Sequence, residues 1–259
     1  MNKKEWIPII IAVIMLMIGS VYDYVITDTL YMSFPIIGMI FERILLFPIE
    51  WIVVFTMLLL YKTKNKRIYI FLALLAAFYA TSELLGYWIS DTNIVSIIIT
   101  VCISIVLLGI TLFTVNKLPS AWIDKHLNFF LFYIAVLLSA VLITTIIKIC
   151  WGRIRYRDME YISQFCVWYR PCAMYGNNSF PSGHTTAFTS LICFLQWKEN
   201  PYAKPSIYRY IIISCVIILM PITRMIMGAH FLSDTAMGFM ITYSCYLWYR
   251  NYFRKRGML

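Results

Sequence analysis

Long apolar runs are the feature that most restricts how this chain can fold. About eight blocks of largely apolar residues follow one another with short polar connections, and most are about as long as a lipid bilayer is thick. The composition agrees, because 61% of the 259 residues are hydrophobic and only 13% are charged, which a soluble domain with a polar surface does not tolerate. The sequence therefore predicts an all-α protein, a polytopic transmembrane helical bundle.

The apolar runs predict about eight spans. No small-residue cleavage pattern follows the first run, so it is interpreted as an uncleaved span and not as a signal peptide. The sixth and eighth runs are short, and the second contains Pro48 and Glu50. The predicted spans cover approximately residues 7–26, 44–61, 68–89, 94–115, 129–147, 185–197, 210–227 and 235–249.

The net charge of +10 comes mainly from Lys and Arg in tracts beside the apolar runs. In a soluble protein this excess would suggest nucleic acid as a partner, whereas here membrane orientation and anionic lipid headgroups explain it, and no nucleic-acid partner is expected. The basic tracts fall on every second connection, which predicts that these connections are cytoplasmic. They contain Lys3 and Lys4, Lys62 to Arg67, Lys117 and Lys125, Lys198 to Arg209, and Arg250 to Arg256, whereas an opposite connection carries Asp91.

The connection from residue 148 to residue 183 breaks this alternation. The span count places it on the non-cytoplasmic face, yet it is rich in cations, and a basic cluster kept against the orientation bias suggests a site for an anion. Arg153 and Arg157 within it are interpreted as part of a solvated loop with local ion pairs. Cys166 and Cys172 lie in the same loop, and the sequence is equally compatible with a disulfide and with a free pair.

Two of three polar clusters flank this connection. Lys148 and Arg155 close the fifth span, and a separation of seven residues would direct both side chains toward one point if the helix continued. Ser182, Gly183 and His184 open the sixth span, where the free N–H groups of a helix N-terminus favour an anion. The sequence thus predicts that cations and a helix N-terminus face the same ligand.

The third cluster contains Arg224, His230 and Asp234. Gly228 is predicted to break the chain between the seventh and eighth spans, with the eighth helix beginning just before His230. His230 and Asp234 would then share a helix face, as a carboxylate that orients an imidazole requires. Arg224 would look into the same cavity.

These groups suit phosphoryl transfer. Lys148, Arg155 and Arg224 would hold the equatorial oxygens of the phosphoryl group. His230 would be the nucleophile, and Asp234 would fix its tautomer and stabilise the imidazolium. His184 would protonate the leaving group and then activate the water that hydrolyses the phosphohistidine.

The ordered motifs resemble those of the type 2 phosphatidic acid phosphatases. Lys148 with Arg155, then Pro-Ser-Gly-His ending at His184, then Arg224 with His230 and Asp234 match that family's pattern residue by residue. Two positions depart, since Tyr156 stands where the family has Pro and Thr223 where it has Ser. The resemblance covers roughly Lys148 to Asp234, and it implies a metal-independent phosphohydrolase with a six-helix core.

On that resemblance, residues 1–67 are predicted to be an N-terminal two-helix addition and residues 68–259 the phosphatase core. No metal-ligand spacing and no nucleotide cradle is found in the sequence, so neither a metal site nor another cofactor is expected. The predicted partners are the lipid bilayer and a lipid phosphate substrate. The oligomeric state stays open.

The predicted function is hydrolysis of a lipid phosphate monoester or pyrophosphate at the periplasmic face of a bacterial inner membrane. The substrates left open are phosphatidic acid, phosphatidylglycerophosphate, undecaprenyl pyrophosphate and lipid A. One alternative is a lipid phosphotransferase that uses the same site. Another is a transporter or binding protein that holds an anionic lipid without chemistry, although anion binding alone needs no oriented imidazole.

Overall fold

The described part of the chain folds into a helical bundle, as predicted. The structure is a computed structural model that describes residues 3–33, 35–86, 93–172, 178–197 and 206–259. The predicted positions of Asp91, Lys198 and Lys204 lie outside these residues. The eight helices are α1 (Ile7–Leu30), α2 (Ile36–Lys64), α3 (Ile68–Leu85), α4 (Ile94–Lys117), α5 (Ser120–Trp151), α6 (Gly183–Thr189, continued by a 3-10 turn, Ser190–Gln196), α7 (Ile207–Ile226) and α8 (Leu232–Lys255).

Six of these helices are long and apolar enough to cross a membrane, and the two others are α6 and α8. Their position explains why they are less apolar. Helix α8 packs against α1, α5, α6 and α7, and α6 packs against α2, α5, α7 and α8. Because both helices are surrounded by protein, their side chains need not dissolve in lipid, and the least apolar helices form the centre of the bundle.

The N-terminal helices pack against the segment that carries the predicted site. Helix α1 runs along α8, and α2 contacts both α5 and α6. By contrast, α3 packs on α2 and α4, and α4 packs on α2 and α3, so this pair lies at the periphery of the described bundle. The division of the chain at residue 67 stays a prediction, and the contacts show that α1 and α2 belong to the same packed bundle as α5 to α8.

Helix α2 begins irregularly, which places one acidic side chain near the site. A short α-helix, Ile36–Met39, passes through a π turn, Ile40–Ile44, before the regular helix Leu46–Lys64 starts. The π turn contains Glu42 and Arg43. Such turns are often found at functional sites because they re-aim side chains within a helix.

The basic residues predicted to be cytoplasmic gather at one end of the bundle. Lys62 Nζ donates to the carbonyl oxygens of Val115, Asn116 and Leu118 at the end of α4, at 3.1, 3.0 and 2.7 Å. Arg250, near the end of α8, forms an ion pair with Glu5, which precedes α1. The clusters predicted to form the site lie at the opposite end.

Candidate active site

Main-chain hydrogen bonds join the three predicted stretches. The N–H of Ser179 donates to the carbonyl of Arg153 at 2.9 Å, which ties the segment before α6 to the segment after α5. The N–H of Ser182 donates to the carbonyl of Asp234 at 2.9 Å, which ties the start of α6 to α8. The three stretches, remote in sequence, therefore meet at one end of the bundle.

Lys148 and Arg155 approach the site, but not through helical spacing. Helix α5 ends at Trp151, and Gly152 adopts the left-handed conformation (φ 63°) that reverses the chain at a helix C-terminus. Arg155 is extended, with φ −78° and ψ 150°. The expectation of a continuous helix through Arg155 is therefore wrong, because Gly152 ends the helix first.

The ammonium group of Lys148 lies over the start of α6. Lys148 Nζ donates to the carbonyl of Asn178 at 2.9 Å, and a Cβ built on Gly183 would lie 3.7 Å from the same nitrogen. Lys148 interacts electrostatically with Arg155, Arg224 and Asp234. The side chain is therefore at the centre of the predicted cluster.

Ser182 serves α6 as its N-cap. Its buried hydroxyl oxygen accepts from Thr185 N at 3.3 Å and from Thr185 Oγ1 at 3.0 Å. The cap leaves the first-turn N–H groups, which include those of Gly183 and His184, without partners inside the helix. Ser182 thus shapes the helix start, and Gly183 brings its main chain close to the Lys148 cation.

His184 faces the other charged groups of the site. Its Nε2 is buried and makes no hydrogen bond within the described residues. Arg224, His230 and Lys148 all interact with it electrostatically. A buried polar atom without a partner is costly, and one beside several cations indicates a place for an anionic ligand.

His230 is held by a carbonyl group. Helix α7 ends at Ile226, Gly228 has a φ of +60°, and α8 begins at Leu232, so His230 lies in the short connection between the helices. Its Nδ1 lies 2.6 Å from the carbonyl oxygen of Ser179. A carbonyl can only accept, so Nδ1 carries the proton and Nε2 keeps its lone pair. Burial lowers the pKa of His230 to about 3, which keeps the ring neutral at physiological pH.

Asp234 does not hold His230 in the predicted way. Asp234 Oδ2 lies 3.7 Å from His230 Nδ1, beyond hydrogen-bond distance, and accepts instead from Phe231 N at 2.8 Å and from Ser179 Oγ at 2.5 Å. The expectation that the two side chains share a helix face is wrong, because Asp234 caps the start of α8 and the helix begins after His230. Asp234 thereby fixes Ser179, whose carbonyl fixes the imidazole.

Arg224 is buried beside an acidic side chain from α2. Its Nη1 lies 3.2 Å from Glu42 Oε2, an ion pair that is too poorly aligned for a hydrogen bond. Nε of Arg224 and Nε of Arg155 also make no hydrogen bond within the described residues. Guanidinium N–H groups left without acceptors at one site favour an incoming anion with several oxygens.

A buried arginine, predicted from the sequence to belong to a solvated loop, lies next to Asp234 at the site. Arg153 is 0% exposed. It donates to Asp234 Oδ1 at 2.6 Å, Asp23 Oδ2 at 2.9 Å and the carbonyl of Cys166 at 2.7 Å, and it stacks on the Phe231 ring. The solvated interpretation is wrong for Arg153. It fits Arg157, whose exposed side chain pairs with Asp158 at 3.7 Å.

The two departures from the family pattern have different settings. Thr223 Oγ1 donates to the carbonyl of Met220 at 2.7 Å inside α7, a local bond that a serine also makes. Tyr156 opens a 3-10 turn, its hydroxyl donates to Asp28 on α1, and its ring lies 5.2 Å from that of Tyr31. Contacts with α1 therefore hold the turn that proline would stiffen.

Cys166 and Cys172 form a disulfide in the loop next to the site. The bridge closes a short loop, and the carbonyl of Cys166 accepts from Arg153 Nε. Within the described part of the chain, no group of three or more His, Cys, Asp or Glu side chains is arranged to hold a metal ion.

Sequence comparison identifies the family of the chain. A family description, the PAP2 superfamily, matches residues 129–258, which is half of the chain and contains all three motifs. Among the curated proteins and the solved structures that were compared, no match was found. The family match and the helical membrane-type fold together place the chain: it belongs to the PAP2 superfamily.

Proposed function

We propose that this protein is an integral-membrane phosphatase that removes a phosphoryl group from a lipid phosphate through a phosphohistidine on His230. The observation that carries the proposal is the 2.6 Å contact between His230 Nδ1 and the carbonyl of Ser179. It fixes the tautomer in which Nε2 is the nucleophile, and the low pKa of about 3 keeps that nitrogen unprotonated. Membership of a family of phosphatases supports the same reading.

The first step forms a nitrogen–phosphorus bond. The lone pair of His230 Nε2 attacks phosphorus, and the bond from phosphorus to the lipid oxygen breaks. Burial and the nearby cations lower the pKa of His184, so the proton that this ring gives to the leaving oxygen is proposed to arrive with the anionic phosphoryl group. The imidazolium that forms keeps its Nδ1–H on Ser179 and lies 3.7 Å from the Asp234 carboxylate, which stabilises the positive charge.

The second step restores the enzyme. A water molecule gives a proton to the now neutral His184 and attacks phosphorus, the bond to Nε2 breaks, and inorganic phosphate leaves. No redox partner is needed, because each step exchanges one bond to phosphorus for another. His184 therefore acts as acid and then as base, which its buried, unpaired Nε2 allows.

Three cations would bind the phosphoryl oxygens in both steps. Lys148 lies over the start of α6, and Arg155 and Arg224 each carry a buried Nε without an acceptor among the described residues. Such preorganised charge stabilises the transition state because it needs no reorganisation as the bond order at phosphorus changes. Arg224 forms an ion pair with Glu42, so an arriving phosphate has to compete with that carboxylate.

The substrate is proposed to be a lipid because the site lies at the end of a membrane-type bundle. A cavity of about 380 Å³ opens beside Glu42, where the charged side chains of Arg43, Arg157 and Asp158 lie next to apolar ones that include Met39 and Met227, and this mixed lining suits a lipid headgroup with its adjoining chains. Phosphatidic acid, phosphatidylglycerophosphate, undecaprenyl pyrophosphate and lipid A all remain candidates. The alternation of basic tracts supports a site on the non-cytoplasmic side. A composition rich in Ile, Lys, Asn and Tyr, with short loops, favours a bacterial inner membrane, whose periplasmic face is then the proposed location.

The second candidate function is transfer of the phosphoryl group to another lipid, since the phosphohistidine serves either acceptor. A non-catalytic anionic-lipid transporter would use the same cations, but it would not need an imidazole held in one tautomer. The first alternative differs from the main proposal in its product, and the second differs in the absence of turnover.

The test is release of inorganic phosphate from a panel of lipid phosphates in detergent. His230→Asn keeps an N–H for the Ser179 carbonyl but removes the nucleophile, so we expect turnover to fall by at least about a thousandfold. The matched control is His126→Asn, at the opposite end of α5, where His126 Nδ1 likewise lies 2.8 Å from a carbonyl, that of Trp122. It should keep turnover near wild type. Undiminished turnover in His230→Asn would exclude the mechanism.

A label in the phosphate separates the two enzymatic outcomes. Hydrolysis sends the label into inorganic phosphate, whereas a phosphotransferase sends it into a second lipid added to the micelles. A protein that binds the lipids but releases no label to either product would favour the transporter. In the enzymatic cases, His184→Asn should lower turnover, because it removes the acid of the first step and the base of the second.

A further inference from the structure

Helix α1 lies outside the residues that the family description matches, and it still reaches the site. Asp23, on its inner face, is buried. Its carboxylate accepts from Arg153 Nη2 at 2.9 Å, from Ser233 N at 3.0 Å and from the Ser233 hydroxyl. Three donors thus converge on one carboxylate contributed by the first helix.

Both partners of Asp23 are next to Asp234. Ser233 precedes it in the chain, and Arg153 Nη1 pairs with Asp234 Oδ1 at 2.6 Å. Asp234 in turn accepts from the Ser179 hydroxyl, and the Ser179 carbonyl holds His230. A continuous chain of buried polar contacts therefore leads from α1 to the proposed nucleophile.

Charge balance does not explain Asp23. Arg153 already has Asp234 as an ion-pair partner, so a second buried carboxylate is not needed to neutralise the guanidinium. Burying an additional acidic group costs free energy. The contribution of Asp23 is to position its partners. It accepts from Arg153 Nη2, and it accepts from the main chain and the hydroxyl of Ser233 in the first turn of α8.

The backbone of α1 is fitted to this contact. A Cβ built on Gly19 would lie 2.9 Å from Ser233 Cβ and 2.7 Å from Asp23 Oδ1, so only glycine lets α1 approach α8 this closely. Trp168, in the loop with the disulfide, donates through Nε1 to the carbonyl of Leu16 at 3.1 Å. Tyr156, where the family has proline, reaches α1 as well.

We propose that Asp23 is a positioning residue that sets the location of Asp234, and through it the orientation of the His230 ring, so that α1 is part of the catalytic unit. The effect on turnover rests on the proposed function. The effect on the His230 ring does not, which allows the two to be tested separately.

The first measurement is ring-nitrogen NMR of the full-length, histidine-labelled protein in micelles. The chain has three histidines, which keeps the spectrum simple. Asp23→Asn places an amide NH₂ among three donors, so we expect the His230 ring signals to shift, with those of His126 at the far end unchanged. Asp28→Asn is the matched control, because this exposed α1 carboxylate contacts the Tyr156 hydroxyl and the amide oxygen can still accept; it should leave all ring signals at wild-type positions.

The second measurement is turnover of a lipid phosphate that the wild type hydrolyses. A small displacement of the nucleophile costs up to about a hundredfold in rate. We expect kcat of Asp23→Asn to fall about 10- to 100-fold with KM within about twofold, because Lys148, Arg155 and Arg224 do not contact Asp23. If no lipid phosphate is hydrolysed by wild type, the proposed function fails, and the NMR result still decides the positioning role.

A second variant covers the case in which Asp23→Asn does not fold. Gly19→Ala changes no polar group but pushes α1 away from Ser233, and it should shift the His230 signals and lower kcat in the same direction by a smaller factor. Gly109→Ala is its control, because no atom of the described residues lies within 4 Å of a Cβ built there. The proposal is overturned if the His230 signals stay at their wild-type positions in both variants. If Asp23→Asn does not fold, unshifted His230 signals in Gly19→Ala are sufficient to overturn it.

Discussion

Replacing Arg153 tests the buried network most directly. Arg153→Met keeps an unbranched apolar side chain and removes the guanidinium, which leaves Asp23 and Asp234 without their shared cation. The matched variant is Arg157→Met, four residues later, where the side chain is 30% exposed and its ion-pair partner Asp158 is 48% exposed. The two substitutions are chemically identical and differ in burial.

The expected magnitudes follow from that difference. Removing one partner of a buried ion pair costs about 3–5 kcal/mol, because the remaining charge is left uncompensated. For a chain of this size each kcal/mol lowers the unfolding midpoint by roughly 2–4 °C, so Arg153→Met should lower it by roughly 6–20 °C. An exposed pair contributes about 1 kcal/mol or less, so Arg157→Met should lower it by at most roughly 4 °C.

The assay is thermal unfolding of the purified protein in one detergent, followed by tryptophan fluorescence. Circular dichroism of each variant checks that the helical content is that of the wild type before heating. Equal midpoints for the two variants, or a larger loss in Arg157→Met, would refute the buried position of Arg153 and with it the network that reaches His230.

Four further predictions follow from the site. Turnover should persist in a chelator, and a requirement for added divalent metal would contradict the metal-free mechanism. Replacing Cys166 and Cys172 by Ser should lower the free energy of unfolding by about 2 kcal/mol, since the bridge closes a loop with a sequence separation of 6; an unchanged midpoint would show that the bridge does not stabilise the loop. Because burial lowers the His230 pKa from 6.5 to about 3, the unfolded chain takes up a proton that the folded chain refuses. Stability should therefore fall as the pH drops below 6.5, by up to about 1.4 kcal/mol per pH unit more in wild type than in His230→Asn, and parallel curves would contradict a depressed pKa. An impermeant thiol reagent should label Ile162→Cys from outside the cell and Lys64→Cys only after permeabilisation, and the reverse pattern would place the site in the cytoplasm.

The helical architecture was predictable because hydrocarbon imposes it. Every backbone polar group in a bilayer needs an internal partner, so long apolar runs become helices whatever their other features. The end of α7 was predictable from Gly228, whose positive φ suits glycine. The low hydropathy of α8 is a further sequence signal. It indicates that neighbouring helices, and not lipid, surround this helix, which the length of the apolar runs does not show.

The motif residues were predictable as a set, but the geometric reasons for their meeting were not. Helical periodicity is the argument that pairs Lys148 with Arg155 and His230 with Asp234. In each pair a helix boundary lies between the two residues, because α5 ends at Trp151 and α8 begins at Leu232. What joins the stretches is main-chain pairing between Ser179 and Arg153 and between Ser182 and Asp234. Spacing in sequence cannot report such long-range pairing.

The residues missed by sequence reasoning share a signal that was available. Asp23 lies within an apolar run, where an acidic side chain is costly unless a partner satisfies it, so its presence there calls for a cation elsewhere. The sequence predicts Arg153 only as one of several loop cations, because nothing local distinguishes it from Arg157. An isolated acid within a membrane span predicts a cationic partner, and the cations of the loop between α5 and α6 are the candidates. This limits the partner of Asp23 to that loop without identifying Arg153.

The contact between the first helix and the last also constrains the order of assembly. Asp23 enters the membrane early in synthesis, whereas Arg153 and Ser233 follow 130 and 210 residues later. Until Arg153 and Ser233 are inserted, the Asp23 carboxyl group has no partner from these residues in the bilayer. Its presence there makes insertion less favourable by about 3 kcal/mol. Pairing can be completed only when the C-terminal segment has inserted, so a chain stalled before that point has Asp23 in the bilayer without its buried partners.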